Sequence, residues 1–487
     1  MARRTDLKIP YGVADFKTIR TEGLYYVDKT EYLAKMEERD RFVFFVRPRR
    51  FGKSLFFDML RLYYDRNEKA NFERLFGGLW IGDHPTENRN RYLMLALDFS
   101  QVGPVCNESL QEAFSEYLGK RLDMFAEAYP EVFDLEFRRS IANDSASEKF
   151  TAVVGRAKMA GAPVYLVIDE YDNFTNTLIR SSGKEPYRTI THGAGFYRTW
   201  FKKFKGNVDR IFMTGVSPVT MDDLTSGFNI AANISQDKAF NAMLGFTEEE
   251  TLAIYRDFKG VGEYREGDPE AIVRSIKPWY DGYCFAKDGI GKESVFNSDM
   301  VLYHLKNLVA EGRPPENMVD RNIATDYNKL ETIVELQRQA GAQNVLPEAK
   351  DFVAGRPFEI VPSFDIGEIG RAEVLPTILQ SVGIITPVKH CHGLTYYSFP
   401  NVAAGLSYLY LLHGWNWADD SYIVELKYSK PGASDAEIAA KAEEGIAQLR
   451  RYAADPTVPA LSADTRLHLI LYQFQGTELI RLEEVAP

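Results

Sequence analysis

The stretch FVFFVRPRRFGKS, residues 42–54, decides the fold of this chain. Its first five residues are all apolar, as expected of a strand buried in the middle of a parallel sheet. Beyond the loop, Leu55, Met59, Leu62 and Tyr63 have the spacing of one helical face. The segment therefore predicts a strand, a loop ending in Gly-Lys-Ser and a helix, which is the context of a phosphate-binding loop.

This loop predicts how ATP and Mg²⁺ are held. Backbone N–H groups and the start of a helix bind phosphate oxygens, so we expect Lys53 to reach the β and γ phosphates and Ser54 to offer its hydroxyl to Mg²⁺. The other nucleotide contacts expected in the loop are Arg50, Phe51, Gly52 and Leu55. Arg47 stands where such a loop usually opens with Gly. Because of this departure, two alternatives stay open. The protein could be a nucleotide-binding scaffold that hydrolyses little ATP, or the segment could be only a basic turn on the surface.

A second motif, VYLVIDE at residues 164–170, is typical of a Walker B strand. Asp169 is expected to hold Mg²⁺, and Glu170 to act as the base that polarises the attacking water. A third strand, 210–213, ends at Thr214, which could contact the γ-phosphate or simply begin a turn. Together these strands predict an α/β fold, a P-loop NTPase parallel sheet with helices on both faces.

Composition limits the possible functions. The chain has 487 residues, 58 Lys and Arg against 69 Asp and Glu, and a net charge of −11, which excludes a polycation that coats nucleic acid. Three separated cysteines give no disulfide framework, and the sequence has no apolar signal segment or membrane-length apolar run. We therefore expect a cytoplasmic protein without a membrane partner. In His390-Cys391-His392, neighbouring strand residues point to opposite faces, which argues against a zinc site.

The middle of the chain is predicted to be helical. Residues 247–250, TEEE, form a capping-box pattern, and residues 325–343 repeat apolar residues at helical spacing. Residues 197–210, YRTWFKKFKGNVDR, interleave aromatic and basic residues, which fits a nucleic-acid face or, more simply, an amphipathic helix on the sheet. The candidates for an arginine finger on the γ-phosphate are Arg49, Arg50, Arg180, Arg198 and Arg210.

The C-terminal region contains a Glu-x-Lys strand, SYIVELKY at residues 421–428. Glu425 and Lys427 point to one face of this strand, where a carboxylate could hold Mg²⁺ and an amine could orient water, as a nuclease requires. A helix predicted at 435–453 carries Gln448, and two more strands follow it. This succession resembles the second half of a PD-(D/E)XK nuclease core.

The segment before the Glu-x-Lys strand is short. Asp419 and Asp420 lie six and five residues before Glu425, which leaves scarcely room for two strands and a turn. If the nuclease is intact, its metal site is rebuilt with Asp419 or Asp420, and we expect Asp420 together with Glu425. The alternatives are an incomplete or inactive site, and a Glu-x-Lys pair that only stabilises an exposed strand.

Seven segments occur in an order that resembles the bacterial AAA-ATPase-like family whose members usually carry a C-terminal PD-(D/E)XK nuclease-type domain. They are residues 25–33, 46–56, 165–173, 212–230, 244–250, 279–285 and 295–305. The resemblance implies a P-loop domain at 1–235, a mainly helical lid or linker at 236–400 and a shortened α/β restriction-endonuclease-like domain at 401–487. It also implies that Asp28 and Lys29 lie near the nucleotide, and that an Arg opening the loop is typical of the family.

Two functions remain open at this point. In the first, ATP turnover gates DNA cleavage at Asp420, Glu425 and Lys427. In the second, ATP binding changes conformation or assembly, including assembly into a homo-oligomer, and the C-terminal domain only binds DNA or another partner. The short segment before Glu425 favours the second function, whereas the surviving Glu-x-Lys pair and Gln448 favour the first.

Overall fold

In the computed structural model, the described residues are 7–103, 110–173, 199–220, 232–320, 330, 352, 357–358, 360–361, 364–365, 371–413, 420–430, 432–458, 465–475 and 478–486. The predicted helix at 325–343, apart from Leu330, lies outside them, as do Arg180, Arg198 and Asp419.

The described strands and helices follow one another along the whole chain. The strands are β1 (Phe42–Val46), β2 (Leu93–Asp98), β3 (Val164–Asp169), β4 (Arg210–Gly215), β5 (Val219–Thr220), β6 (Ala232–Asn233), β7 (Phe364–Asp365), β8 (Thr386–Cys391), β9 (Leu394–Ser398), β10 (Asp420–Ser429), β11 (Arg466–Gln475) and β12 (Glu478–Val485). The helices are α1 (Phe16–Glu22), α2 (Glu31–Glu37), α3 (Lys53–Tyr64), α4 (Phe72–Phe76), α5 (Trp80–Asp83), α6 (Leu110–Ala128), α7 (Leu135–Ser140), α8 (Ala146–Met159), α9 (Glu248–Phe258), α10 (Pro269–Tyr280), α11 (Ser298–Glu311), α12 (Leu375–Ser381), α13 (Val402–His413) and α14 (Asp435–Ala453). Within the described ranges, none of the helices combines the length and the apolar character needed to cross a bilayer.

A parallel sheet in the order β2-β3-β4-β1-β6 forms the centre of the N-terminal half. β1 is the predicted apolar strand before the loop, and β3 is the predicted strand before the acidic pair. β4 lies between them, with Thr214 opposite Phe45 and Met213 opposite Ile168. Because all these strands run in one direction, the loop, the acidic pair and Thr214 reach the same edge of the sheet.

Helices cover both faces of this sheet, as predicted. On one face, α1, α3 and α4 pack on side chains such as Phe45, Val167 and Phe212. On the other face, α6, α8 and the helical residues 199–207 pack on the alternate side chains of the same strands. The parallel α/β fold expected from the sequence is therefore confirmed.

The segment with interleaved aromatic and basic residues is an amphipathic helix on this second face. Trp200, Phe201 and Phe204 are buried there, and Trp200 contacts the rings of Phe114 and Phe150. Rings buried in the core are unable to stack on nucleic-acid bases. The nucleic-acid alternative for this segment is therefore wrong for its described part.

A separate apolar core joins α9, α10 and α11 into a helical unit beside the loop. α9 begins with the predicted capping box, in which Thr247 Oγ1 accepts from Glu250 N at 3.2 Å and Glu250 Oε2 accepts from Thr247 N at 2.8 Å. The linker continues through α12 and the antiparallel hairpin of β8 and β9. The region that was expected to be mainly helical therefore also contains this hairpin.

The C-terminal region is a sheet in the order β10-β11-β12, with β10 and β11 parallel and β11 and β12 antiparallel. α14 covers one face of this sheet. The other face, including Ile470 and Tyr472, packs on α13 and shares a hydrophobic core with the central sheet of the N-terminal half. The described part of the short interval before β10 includes helix α13, which ties the C-terminal sheet to the rest of the protein.

Candidate functional site

The loop wraps around the ammonium group of Lys53. Lys53 is the first residue of α3, and its Nζ donates to the backbone oxygens of Arg47 at 3.1 Å and Pro48 at 3.0 Å. The backbone reaches positive φ at Arg50 (67°) and at Gly52 (94°), which directs the chain into the helix. Burial lowers the pKa of Lys53, while the nearby Glu170 and Asp169 carboxylates favour its charged form. A cation is therefore held at the start of the helix, as a phosphate site requires.

Arg47 stands at the position of the usual first Gly, and its buried side chain holds the loop in place. Its guanidinium is buried and donates to the backbone oxygens of Ser235 at 2.7 Å and Phe240 at 2.9 Å. It also lies between the rings of Phe45 and Phe285, 4.3 and 4.0 Å from their centroids. Burial lowers the pKa of Arg47 to about 9. The side chain thus joins the loop to the segment that follows β6.

The acidic pair at the end of β3 meets the loop. The carboxyl group of Asp169 accepts from Glu170 N at 2.9 Å, and Ser54, in the first turn of α3, lies close enough to influence the pKa of this carboxyl. Burial raises the pKa of Asp169 to about 6, although Ser54 and Lys53 act in the opposite direction. Glu170 has a φ of 50°, a backbone conformation that residues other than Gly adopt at an energetic cost. Its Oε2 lies 3.8 Å from Nη2 of Arg49.

Thr214 lies beside Asp169 at the end of β4. The pairing of Met213 with Ile168 places the next residue of each strand side by side, on one face of the sheet. Thr214 is buried, and its Oγ1 has no hydrogen-bond partner among the described residues. A buried hydroxyl without a partner is uncommon. The position fits the predicted contact with a γ-phosphate or a water.

A cavity of about 470 Å³ opens beside the loop, a size typical of small-molecule sites. One wall consists of Arg49 to Leu55 and Glu170, which includes every loop residue that the sequence predicted for nucleotide contact. The facing wall comes from the N-terminal segment and from the lid. Its members include Pro10, Tyr25, Lys29, Phe246, Asp299 and Leu302. The cavity is therefore polar at the loop end and largely apolar at the other.

The two residues implied by the family resemblance have different positions. Lys29 lines the cavity, but its ammonium donates to both carboxylate oxygens of Glu250 at 2.7 Å and to the backbone oxygen of Ala242 at 3.0 Å. The Asp28 carboxylate instead accepts from the backbone N–H of Trp80 at 2.7 Å and of Thr30 at 2.9 Å. The Asp28 carboxylate thus binds backbone N–H groups, and its place near the nucleotide stays a prediction.

The lid residues at the cavity were missed in the sequence. Nη1 of Arg50 lies 3.1 Å from Oδ2 of Asp299, and the Arg50 carbonyl accepts from the Ser298 hydroxyl at 3.2 Å. Both residues lie in the first turn of α11, within a segment that the family resemblance included without giving it a role. No local pattern joins them to the loop, because the contact depends on how the lid packs.

Among the arginine-finger candidates, the described structure separates the loop arginines from Arg210. Arg49 and Arg50 line the cavity. Arg210 begins β4, at the opposite edge of the sheet, and its Nε donates to the hydroxyl of Tyr92 at 3.2 Å. Arg210 is therefore excluded as a finger within its own chain.

The Glu-x-Lys strand forms a second, smaller polar site against α14. Lys427 Nζ lies 3.2 Å from Oε1 of Glu425 and 2.8 Å from Oε1 of Glu444, and it also donates to Oε1 of Gln448. Burial lowers the pKa of Lys427, but hydrogen bonds to Glu444 and Glu425 outweigh this effect, so the net shift is upward. The predicted grouping of Glu425, Lys427 and Gln448 is present, with Glu444 as an unpredicted member.

Gly445 allows α14 to lie directly on this site. A Cβ atom at Gly445 would come within 2.6 Å of Leu471 Cδ1 and 3.0 Å of Lys427 Cγ. No larger residue fits between the helix and the strand without displacement. The side chain of Lys427 is consequently 11% exposed and held in one direction, towards Glu444 and Gln448.

The predicted pairing of Asp420 with Glu425 at one metal ion is not supported. Both residues belong to the continuous strand β10, in which a separation of five residues corresponds to about 17 Å. A single Mg²⁺ binds its oxygen ligands at about 2.1 Å. Within the described ranges, no group of three His, Cys, Asp or Glu side chains is placed to hold a metal ion.

Comparison with known proteins supports the two-part architecture. Residues 10–225 match the family model described as a predicted AAA-ATPase, and residues 398–484 match the model of the PD-(D/E)XK nuclease superfamily. The resemblance inferred from the sequence is thereby confirmed for both parts.

The matches include a curated relative and a solved structure. An uncharacterized protein in the vnfD 5' region of Azotobacter chroococcum mcd 1 is 28% identical over 287 residues, which cover 58% of this chain and 50% of the relative. The chain thus spans about half the length of that relative. The ORC2 protein of Aeropyrum pernix, in its ADPNP–ADP complexes, aligns with 80% of this chain and 92% of its own at 12% identity. Its TM-score of 0.25 supports no conclusion about fold or function.

Proposed function

We propose that this protein binds ATP in the cavity beside the Gly-Lys-Ser loop and hydrolyses it. The observation that supports the proposal is the convergence of the Gly-Lys-Ser loop with the end of β3, where Asp169 and Glu170 act on Lys53 beside a cavity lined by Lys53, Ser54 and Glu170. Two motifs that are distant in the sequence meet there in the arrangement that P-loop NTPases use.

The oxygen ligands in this site fit Mg²⁺. The Ser54 hydroxyl and the Asp169 carboxylate are hard donors of the kind that Mg²⁺ prefers, and Ser54 is close enough to Asp169 to influence its pKa. When bound, Mg²⁺ would offset the negative charge of the phosphates. The proposed metal ligands in this half of the protein are therefore Ser54 and Asp169.

The remaining roles belong to residues around the loop. The Lys53 ammonium would exchange its present acceptors, the Arg47 and Pro48 carbonyls, for phosphate oxygens. Glu170 would accept the proton of the attacking water, and Arg49 lies close enough to Glu170 to contact the same phosphate region. The Thr214 hydroxyl would orient the water or the γ-phosphate.

The test is ATP affinity, measured by titration of the full chain, together with phosphate release. We expect Lys53→Ala to lower the affinity about 10- to 100-fold, because hydrogen bonds to a charged partner are worth roughly 1.5–3 kcal/mol. The matched control is Lys35→Ala, in an exposed ion pair on α2. Equal affinity of Lys53→Ala and the unaltered protein would exclude the loop as the ATP site.

For the C-terminal region, we propose that ATP-dependent changes act on DNA through the site of Glu425 and Lys427. Lys427 is the cation of this site, and a DNA phosphate would have to replace Glu425 or Glu444 as its partner. The second candidate is a switch whose C-terminal region binds DNA or another partner without cutting. The separation of Asp420 from Glu425 favours this second candidate over cleavage.

Plasmid degradation with Mn²⁺ and ATP distinguishes the two candidates. The comparison uses the unaltered protein, Lys427→Ala and the control Lys430→Ala, which changes an exposed lysine just after the same strand. Cutting that is lost only in Lys427→Ala supports a nuclease with Glu425 as a metal ligand. Absence of cutting with retained DNA retardation on a gel supports the switch, and absence of both excludes DNA as the partner.

We further propose a cytoplasmic location and ATP-dependent homo-oligomers. Cys284 and Cys391, the described cysteines, are both free thiols, which fits a reducing compartment. Cell fractionation tests the location. Light scattering with and without ATP tests assembly, and an unchanged monomer mass would exclude the oligomer.

A further inference from the structure

We propose that helix α13 couples the ATP cavity to the Glu425–Lys427 site, so that nucleotide binding changes the C-terminal sheet. This inference rests on ATP binding as proposed above. It goes further by assigning the route, which runs from the rear of the loop through the first turn of α13 to β11. Three contacts carry it.

The first contact lies behind the loop. Pro48, Arg50 and Phe51 line a small space of about 40 Å³, roughly the room of one water. Its opposite wall includes Ala403, Ala404 and Ser407 of α13. The loop that lines the nucleotide cavity on one side therefore shares this small space with α13 on the other.

The second contact fixes the start of α13 to the linker. Asn401 Nδ2 donates to the backbone oxygen of Asp281 at 2.7 Å, and its Oδ1 accepts from Ala404 N at 3.0 Å. Asn401 is thus both the cap of α13 and its attachment to the turn that follows α10. Asp281 comes just before Tyr283, whose ring contacts the loop residue Phe51 at a centroid distance of 4.9 Å.

The third contact joins α13 to the C-terminal sheet. The hydroxyl of Tyr472 donates to the backbone oxygen of Val402 at 3.0 Å, and both residues are fully buried. Tyr472 is paired in the sheet with Leu426, the neighbour of Lys427. A displacement of the first turn of α13 therefore acts on the strand pair that carries the Glu-x-Lys residues.

Lys53 supplies the origin of the displacement. Its ammonium is bonded to the carbonyls of Arg47 and Pro48, and phosphate binding would remove this donor from both. The Pro48 ring is packed against Gly383, where a Cβ would lie 3.0 Å from Pro48 Cγ. Since packed interiors transmit small shifts instead of absorbing them, a change at Pro48 is passed to the linker and α13.

Hydrogen–deuterium exchange of the full chain tests this route, with peptides covering 420–430 and 465–475 measured with and without Mg-ATP. We expect ATP to change the exchange rate of these peptides at least about fivefold, the lower end of typical coupling between sites. Tyr472→Phe should reduce the change to less than about twofold while ATP still binds. The matched control, Tyr428→Phe, alters an exposed tyrosine of β10 and should behave as the unaltered protein.

A second variant tests the contact between α13 and the turn that follows α10. Asn401→Ser keeps a capping oxygen for α13 but removes the amide donor to Asp281, and it should uncouple the sites like Tyr472→Phe. If the unaltered protein binds ATP and the two peptides do not respond, the coupling is overturned while ATP binding stands. An ATP response that persists in both variants also overturns it. Failure of the unaltered protein to bind ATP would instead refute the proposed function.

Discussion

The loop site and the Glu425–Lys427 site differ in how many parts of the chain supply them. At the loop, side chains come from the ends of three parallel strands, from α3 and from the lid across a cavity. At the C-terminal site, one strand and one helix supply Glu425, Lys427, Glu444 and Gln448. The roles proposed at the first site fall on separate groups for phosphate, metal and water, whereas the second site has a cation already neutralised by its neighbours.

The difference shows what a parallel sheet contributes to a site. Strands that run together end at one edge, so residues from distant motifs converge without any local turn between them. In the C-terminal sheet, only β10 and α14 contribute, and Asp420 is about 17 Å from Glu425 along the strand. A complete catalytic set is therefore expected at the loop, and a partial one at β10.

The largest expected effect separates binding from chemistry at the loop. Glu170→Gln should lower the rate of ATP hydrolysis about 10²- to 10⁴-fold, the usual contribution of a general base. The amide keeps the size of the side chain, so the ATP affinity should change by less than about threefold. Phosphate release and ATP titration measure the two quantities.

The control for Glu170→Gln is Glu443→Gln, an exposed residue of α14. A hydrolysis rate that is unaffected by Glu170→Gln would assign the water to another group, and Glu170 would lose its proposed role as the base. Loss of affinity together with rate would instead make Glu170 a binding residue.

The next effect concerns the anchor beneath the loop. Arg47→Met removes the donor from the Ser235 and Phe240 carbonyls, and each buried acceptor left unsatisfied costs about 1–3 kcal/mol. Removal of a buried charge offsets part of this cost. We expect a net loss of about 2–4 kcal/mol in the free energy of unfolding.

Urea denaturation measures this loss, with Arg91→Met as the control at an exposed position. An increase in stability for Arg47→Met would mean that the desolvation of the guanidinium outweighs its hydrogen bonds. The loop would then carry its Arg at a cost, as functional sites often do.

A smaller effect is expected where α14 lies on the second site. Gly445→Val places methyl groups where Leu471 and Lys427 already lie, and overpacking of this kind costs about 1–3 kcal/mol. Exchange protection of residues 420–430 should fall, while ATP affinity stays the same. Protection equal to that of the unaltered protein would show that α14 can move away, and that Lys427 is less confined than its contacts indicate.

The sequence was sufficient for the elements that carry local patterns. β1, β3, α9 and α14 lie where apolar runs, capping boxes and helical spacing predicted them, because each pattern is contained within one element. The positions of Lys53, Ser54 and Asp169 were predicted in the same way, because their motifs lie at the ends of apolar strands. Domain boundaries and site roles stay predictions.

What the sequence did not indicate depends on packing between distant segments. Nothing near Arg47 predicts that its guanidinium is covered by Phe285 and bonded beyond β6. The lid wall of the cavity and the contact of Tyr472 with α13 are of the same kind. The hydrogen bond from Trp80 N to the Asp28 carboxylate is also of this kind, because Trp80 lies 52 residues further along the chain.

The smallest effect is the pH dependence of Mg²⁺-assisted ATP binding. Burial raises the pKa of Asp169 to about 6 from 3.8, so the ionised fraction falls about fourfold between pH 7.5 and 5.5. Mg²⁺ needs the carboxylate, and the Mg²⁺-dependent part of the ATP affinity should fall by the same factor. The free energy of unfolding changes in the opposite direction. The folded protein binds this proton more tightly than the unfolded chain does, so its stability increases as the pH falls towards 4. Titration of Asp169→Asn, which retains the ionisation of ATP itself, isolates the contribution of the carboxylate. An equal pH dependence in this variant would remove Asp169 from the metal site and reduce the contrast between the two regions.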